Sequence, residues 1–177
     1  MSDKIVFYTN PMSRGRIIRW MLEEVGQPYE TVLMEFPALK APDFLAINPM
    51  GKVPTIRHGD TVVTEAAAIC AYLADAFPQA GLAPPLGLQV APEKQGFVGY
   101  GNARLTEDTL AQAVAGRSFI AGERFSTADL YLCAKLDFAL AFGNLPKRPE
   151  FLAYCAAHAQ RPAKLRAAAL DDAALKT

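Results

Sequence analysis

Apolar and polar positions follow two different periods in the first 77 residues and only one after them. Residues 4–8 form a short β-rich run closed by Thr9-Asn10-Pro11. Across 16–25, Ile17, Trp20, Met21, Leu22 and Val25 recur at near-helical spacing, and Gly26 follows as a stop. Residues 29–35 are apolar and β-branched enough for a second strand. A short helix fits 42–47, because Asn48-Pro49 ends it. Two further strands, 54–57 and 61–64, flank His58-Gly59-Asp60, a hairpin turn. Residues 66–77 predict a helix stopped by Pro78. The element order is β-α-β-α-β-β-α.

The pattern breaks at 78–92, where Pro78, Pro84, Pro85 and Pro92 with Gly81 and Gly87 read as a linker. Beyond it only the helical period recurs. A helix over 93–115 is weakened by Gly96, Gly99 and Gly101, each costing up to about 1 kcal/mol in a helix interior. The clearest helix start is Ser126-Thr127-Ala128-Asp129, a capping box, with Phe125 and Leu130 placed as a hydrophobic staple. Two more helices fit 149–160 and 162–175. The architecture is an α/β unit (1–77) followed by an all-α unit (93–177).

Composition removes several function classes. Lys+Arg and Asp+Glu number 18 each, so no net charge argues for nucleic acid or an anionic membrane as partner. The longest apolar run, 66–74, is far below a membrane span. The apolar residues after Met1-Ser2-Asp3-Lys4 are too few for a signal segment, so a cytoplasmic location is expected. Cys70, Cys133 and Cys155 have no metal or dithiol spacing, and no metal is expected. Cys70 and Cys133 lie in apolar helical stretches and read as buried, inert thiols. His58 and His158 lack a partner that would make either a base, and Trp20 reads as core.

The chemistry concentrates in Asn48-Pro49-Met50-Gly51-Lys52-Val53-Pro54-Thr55-Ile56 and in Thr64-Glu65-Ala66-Ala67. Backbone groups left free beside a strand-opening Val-Pro pair with an extended peptide. A carboxylate at a helix start, with the open N–H groups that follow it, holds an amino-acid head. Together these suggest a cradle for a small, charged, extended thiol peptide.

The chain resembles the cytosolic glutathione transferases. The match rests on Tyr8-Thr9-Asn10-Pro11-Met12-Ser13-Arg14-Gly15-Arg16, the 48–56 segment, Glu65-Ala66 and the capped helix at 126–129. It implies a thioredoxin-like first domain and a helical second one, with glutathione as co-substrate. By that resemblance Pro54 is cis and the backbone of Val53 pairs with the cysteinyl unit. Glu65 accepts from the γ-glutamyl amino group, and Lys52 meets the glycyl carboxylate. The family usually has Ser after the acid; Ala66 leaves only the backbone N–H, so weaker glutathione binding is expected. Without the resemblance, Glu65 reads as a helix-start acid and Lys52 as a solvated lysine.

The reaction implied is conjugation of the glutathione thiolate to a small electrophile. A thiol of pKa near 8.5 needs about two units of lowering, roughly 2.7 kcal/mol, which one hydroxyl and a helix start can supply. Ser13 matches the serine of serine-type members and is the first candidate for that hydroxyl; an ordinary helix N-cap is its competing reading. Tyr8 is the alternate, though its spacing to Arg14-Gly15-Arg16 is longer than in tyrosine-type members. Arg14 or Arg16 adds positive charge near the sulfur or serves a solvated face. Between Pro85 and Glu93 there is no room for the long helix that lines the electrophile pocket and builds the family's dimer interface. The second domain therefore reads as lacking a helix, and a homodimer is less firmly implied. A catalytically weak or inactive glutathione-binding or interaction module is the alternative function.

Overall fold

A computed structural model describes residues 4–83 and 103–176. They fall into two compact units, Met1–Leu82 with Arg161–Thr177, and Ala83–Gln160. The first unit is built on a four-stranded mixed sheet in the order β2-β1-β3-β4. Its strands are β1 (Ile5–Thr9), β2 (Tyr29–Leu33), β3 (Thr55–His58) and β4 (Thr61–Thr64). β1 pairs parallel with β2 and antiparallel with β3, and all five of its residues are buried. This explains its unbroken apolar run, since a central strand covered on both faces has no solvent side to mark with polar residues.

The two faces of β1 are used differently. Val6 and Tyr8 join Leu39 and Phe44 in one apolar cluster, with Val32, Met34, Ile47 and Val53 packed against it. Phe44 belongs to α2 (Pro42–Ile47), and its ring centroid lies 5.7 Å from that of Tyr8. Phe7, on the other face, lies 5.3 Å beneath the guanidinium of Arg19 on α1 (Gly15–Val25). α1 ends on Gly26 in the left-handed region (φ 72°), whose N–H reaches the carbonyl of Leu22 at 3.0 Å. The expected helix after β4 is α3 (Ala66–Ala76). Two 3-10 turns absent from the sequence reading, Pro37–Lys40 and Pro78–Ala80, fill connections that the propensity pattern leaves irregular.

The second unit contains α4 (Ala103–Val114), α5 (Thr127–Ala141) and α6 (Pro149–Ala159). The 93–102 part of the long expected helix, and the proposed helix deletion after Pro85, lie outside the described residues. The capping box at the start of α5 is present. Asp129 is fully buried; its Oδ2 accepts from the Ser126 N–H (2.9 Å) and hydroxyl (3.0 Å). Its Oδ1 accepts from the Ile120 N–H (2.7 Å) and the Tyr154 hydroxyl (2.6 Å). One carboxylate thus ties a loop, a helix start and α6 together. Burial and that carboxylate push the Tyr154 phenol well above the ordinary tyrosine range.

The last helix, α7 (Pro162–Ala174), packs on α1 within the first unit. It buries Ala163 and Ala167 and adds a set of charge pairs. Arg161 grips Glu24 through two hydrogen bonds of 2.6 and 2.8 Å, and Arg166 reaches Glu23 at 2.9 Å. Beneath them the buried Arg19 donates to Asp171 at 2.6 Å and to the hydroxyl of Thr31 at 3.2 Å. Burial pushes the Asp171 carboxyl above its ordinary range while Arg19 pulls it back. Its Oδ2 has no hydrogen bond of its own, so the pair depends on Arg19 staying in place. Arg19→Met alone is expected to lower the unfolding free energy by about 3–5 kcal/mol, because it strands a buried carboxylate. Adding Asp171→Leu recovers most of that loss. Urea unfolding followed by the single tryptophan, Trp20 on α1, measures both.

Candidate functional site

The loop between α2 and β3 is held by one amide. Asn48 is buried, and its Nδ2 donates to the carbonyl of Lys52 (2.9 Å) and to the hydroxyl of Thr55 (3.1 Å). Its Oδ1 accepts the Met50 N–H at 3.1 Å, and its carbonyl accepts the Gly51 N–H at 2.8 Å. The Thr55 hydroxyl returns a bond to the Lys52 carbonyl at 3.0 Å. Gly51 has φ 57°, and a Cβ there would lie 2.5 Å from the carbonyl of Leu39, so no other residue fits without displacement. Lys40 braces the same turn, its Nζ donating to the carbonyls of Met50 (3.1 Å) and Gly51 (3.4 Å). The Val53–Pro54 peptide bond inside this clamp is cis.

Glu65 sits across from that loop as the residue before α3. Its backbone is left-handed (φ 66°, ψ 126°), the only non-glycine with positive φ among the described residues. A β-carbon in that region costs of order 1–3 kcal/mol, and such residues cluster at functional sites. Its side chain is exposed, while Ala66 behind it is buried. Arg14, Asn48, Met50, Lys52, Val53, Pro54, Thr64, Glu65 and Ala66 line one groove. The groove encloses about 10 Å³, room for little more than a water. A ligand of peptide size would lie extended across it.

Ser13 and Tyr8, the two sequence candidates for thiol activation, are both engaged elsewhere. The Ser13 hydroxyl donates to the carbonyl of Asn10 at 2.7 Å and accepts the Gly15 N–H at 3.0 Å. The hydroxyl thereby satisfies the first N–H of α1 from one residue ahead of the helix N-cap, Arg14. Tyr8 is buried in the cluster with Phe44. Of the paired arginines, Arg16 turns to α7, bonding Asp172 and lying 4.0 Å from Asp171. Arg14 turns to the groove.

Comparison with known proteins draws on this same region. The model for the glutathione S-transferase N-terminal domain matches residues 12–76. The chain is 26% identical over 169 residues to glutathione S-transferase GST-4.5 of Xanthomonas campestris, spanning 75% of this chain and 81% of that one. A glutathione transferase structure from Methylococcus capsulatus superposes with a TM-score of 0.74 at 26% identity, covering 95% of this chain and 98% of the other. Residues 12–76 thus resemble the N-terminal domain of glutathione S-transferases, and the whole chain is similar in fold to proteins of that name. A sphingomonad glutathione S-transferase solved in complex with glutathione superposes with a TM-score of 0.72 at 25% identity, covering 94% and 98% of the two chains.

The fold brings Lys52, Val53, Pro54, Glu65 and Ala66 to one groove and leaves Ser13 and Tyr8 off its lining. The residues that the sequence reading missed are Asn48 and Lys40, which support the loop. Asn48-Pro49 reads as a helix terminator, and nothing in that spacing marks the amide as the clamp. A larger concavity of about 610 Å³ opens between the C-terminal half of α1, the start of β2 and α7, and shares no residue with the candidate site. Asn48→Ala would leave the Met50 N–H without its partner and take one of two donors from the Lys52 carbonyl. It is expected to cost about 1–3 kcal/mol in urea unfolding, with glutathione affinity falling more than Tm.

Proposed function

We propose that this protein is a glutathione transferase that conjugates the thiolate of glutathione to a small electrophile. The observation that carries the reading is the single groove shared by Val53, the cis Pro54 and Glu65, within the 12–76 segment that matches the glutathione S-transferase N-terminal domain. Glutathione is an extended tripeptide with a cationic amino group at one end and a carboxylate at the other. Glu65 is proposed to accept from its amino group, the Val53 backbone to pair with the cysteinyl unit, and Lys52 to meet the glycyl carboxylate. Ala66 contributes only its N–H at the start of α3, where the free amide groups favour an anion.

Ser13 is proposed as the hydroxyl that meets the sulfur, after rotating from Asn10, with Tyr8 as the alternate donor. Positioning does much of the remaining work, since holding a thiolate against an electrophile replaces a bimolecular encounter. The alternative, a weak or inactive binding module, draws no support from relatives that carry the transferase name. A cytoplasmic location and a homodimer complete the proposal.

Glutathione-affinity retention combined with conjugation of a generic aromatic electrophile tests the reading; retention without turnover would leave only the binding module. Glu65→Gln keeps the backbone and removes the charge. It is expected to raise KM for glutathione about 10- to 100-fold, the worth of one charge-assisted hydrogen bond, without lowering Tm. Ser13→Ala is expected to raise the pKa of the bound thiol; an unchanged value would remove Ser13 from the role.

A further inference from the structure

The concavity of about 610 Å³ between α1, β2 and α7 has the volume of a small-molecule site and no part in the glutathione groove. It lies wholly within the first unit. Its one lining carboxylate is fully occupied. Glu23 Oε1 accepts from the Tyr29 hydroxyl at 2.8 Å, and Oε2 from Arg166 Nε at 2.9 Å. Burial, and then the bond to Glu23, push the Tyr29 phenol up to about 12, so it keeps the proton that it gives to that carboxylate.

The donors on the same wall are not all occupied. Arg19 is only 3% exposed, yet it lines the concavity. Its Nε goes to Asp171 and its Nη1 to the hydroxyls of Thr31 (3.2 Å) and Tyr29 (3.4 Å), and its Nη2 makes no hydrogen bond among the described residues. The Thr31 hydroxyl accepts from Arg19 and gives its own proton to none of them. Arg166 directs Nε and Nη2 to Glu23 and leaves Nη1, and the Gln27 side-chain amide makes no hydrogen bond. Leu22, Pro28 and Leu170 supply the apolar part of the wall.

Occupied acceptors and open donors select for an anion. A cation would find no charged acceptor free, and a neutral apolar molecule would leave the buried Arg19 donor unmatched. The wall carries two guanidiniums against one carboxylate, a surplus of one positive charge. Asp171, off the wall, offsets Arg19 from behind, so a second negative charge on a ligand would go uncompensated and oppose Glu23. A planar carboxylate also fits the fork of a guanidinium. We propose that this concavity is a second binding site, for a small monocarboxylate with an apolar body. The head takes the open donors of Arg19 and Thr31, with Arg166 and Gln27 as further donors, and the body lies on Leu22, Pro28 and Leu170. Because α1, β2 and α7 all contribute, an occupant ties the last helix to the sheet. The site is independent of the glutathione reading.

Calorimetry on the full-length protein tests it, with 4-phenylbutyrate as the acid and 4-phenylbutanol as its neutral counterpart. The acid is expected to bind at one site about tenfold or more tighter than the alcohol, the worth of one hydrogen bond to a charged group. It should also raise Tm with concentration. Leu170→Glu sets a second carboxylate on the wall at a half-exposed position and should weaken the acid about tenfold or more. Thr31→Val, which removes one donor at nearly constant volume, should weaken it by about three- to tenfold. Glu65→Gln, in the glutathione groove, should leave its affinity unchanged. Three results would each overturn the site: no binding of the acid, equal binding of acid and alcohol, or an affinity that Leu170→Glu and Thr31→Val leave intact. Acid binding weakened by Glu65→Gln would likewise overturn it, placing the acid in the other groove.

Discussion

The buried side chain of Asn48 is the constraint on which the candidate site depends. Between α2 and β3 the chain must reverse and present a backbone edge, and a loop that does this inside a fold strands polar groups. Asn48 answers with both ends of its amide, bonding Met50 ahead of the turn and Lys52 and Thr55 beyond it. The bond to Thr55 matters most for the architecture, because Thr55 opens β3 and pairs with Tyr8 of the central strand. The Val53–Pro54 edge is thereby registered to the sheet rather than left to the loop. Gly51, which no residue with a Cβ can replace without displacement, and Lys40, which caps two carbonyls, complete that support.

A second constraint acts at the start of α1. The close approach of Gly15 to Thr9 seats this helix start at the end of β1, and the rotation of the helix then separates two arginines that are near neighbours in the chain. Arg16 joins Arg19, Glu23 and Glu24 in a charged seam against α7, while Arg14 is left at the groove. The seam is partly buried at Arg19 and Asp171, where its strength comes from mutual dependence rather than from Coulomb energy in excess of desolvation.

Strain and burial divide in a similar way at Glu65. The residue carries a left-handed backbone while its side chain stays exposed and Ala66 is buried beneath it. An arrangement that costs stability and leaves a carboxylate facing a groove is expected where binding, not packing, sets the residue. It also explains why Glu65 does not cap α3 with its own side chain.

Most of the first unit was legible in the sequence, because its signals are local. The central strand shows as a continuous apolar run, α1 as a periodic stretch ending on Gly26, the hairpin as His58-Gly59-Asp60, and α5 as a capping box. The groove residues Val53, Pro54 and Glu65 were legible too, as a strand-opening proline and a helix-start acid. Tertiary structure alone decided the rest. That α7 covers α1, that Asn48 clamps the loop, that Ser13 spends its proton on Asn10, and that Arg14 and Arg16 face different ways are all matters of direction. A sequence pattern records which residues are polar and how they are spaced. Where a side chain points, and what already occupies its hydrogen bonds, is set by the packing of elements distant along the chain.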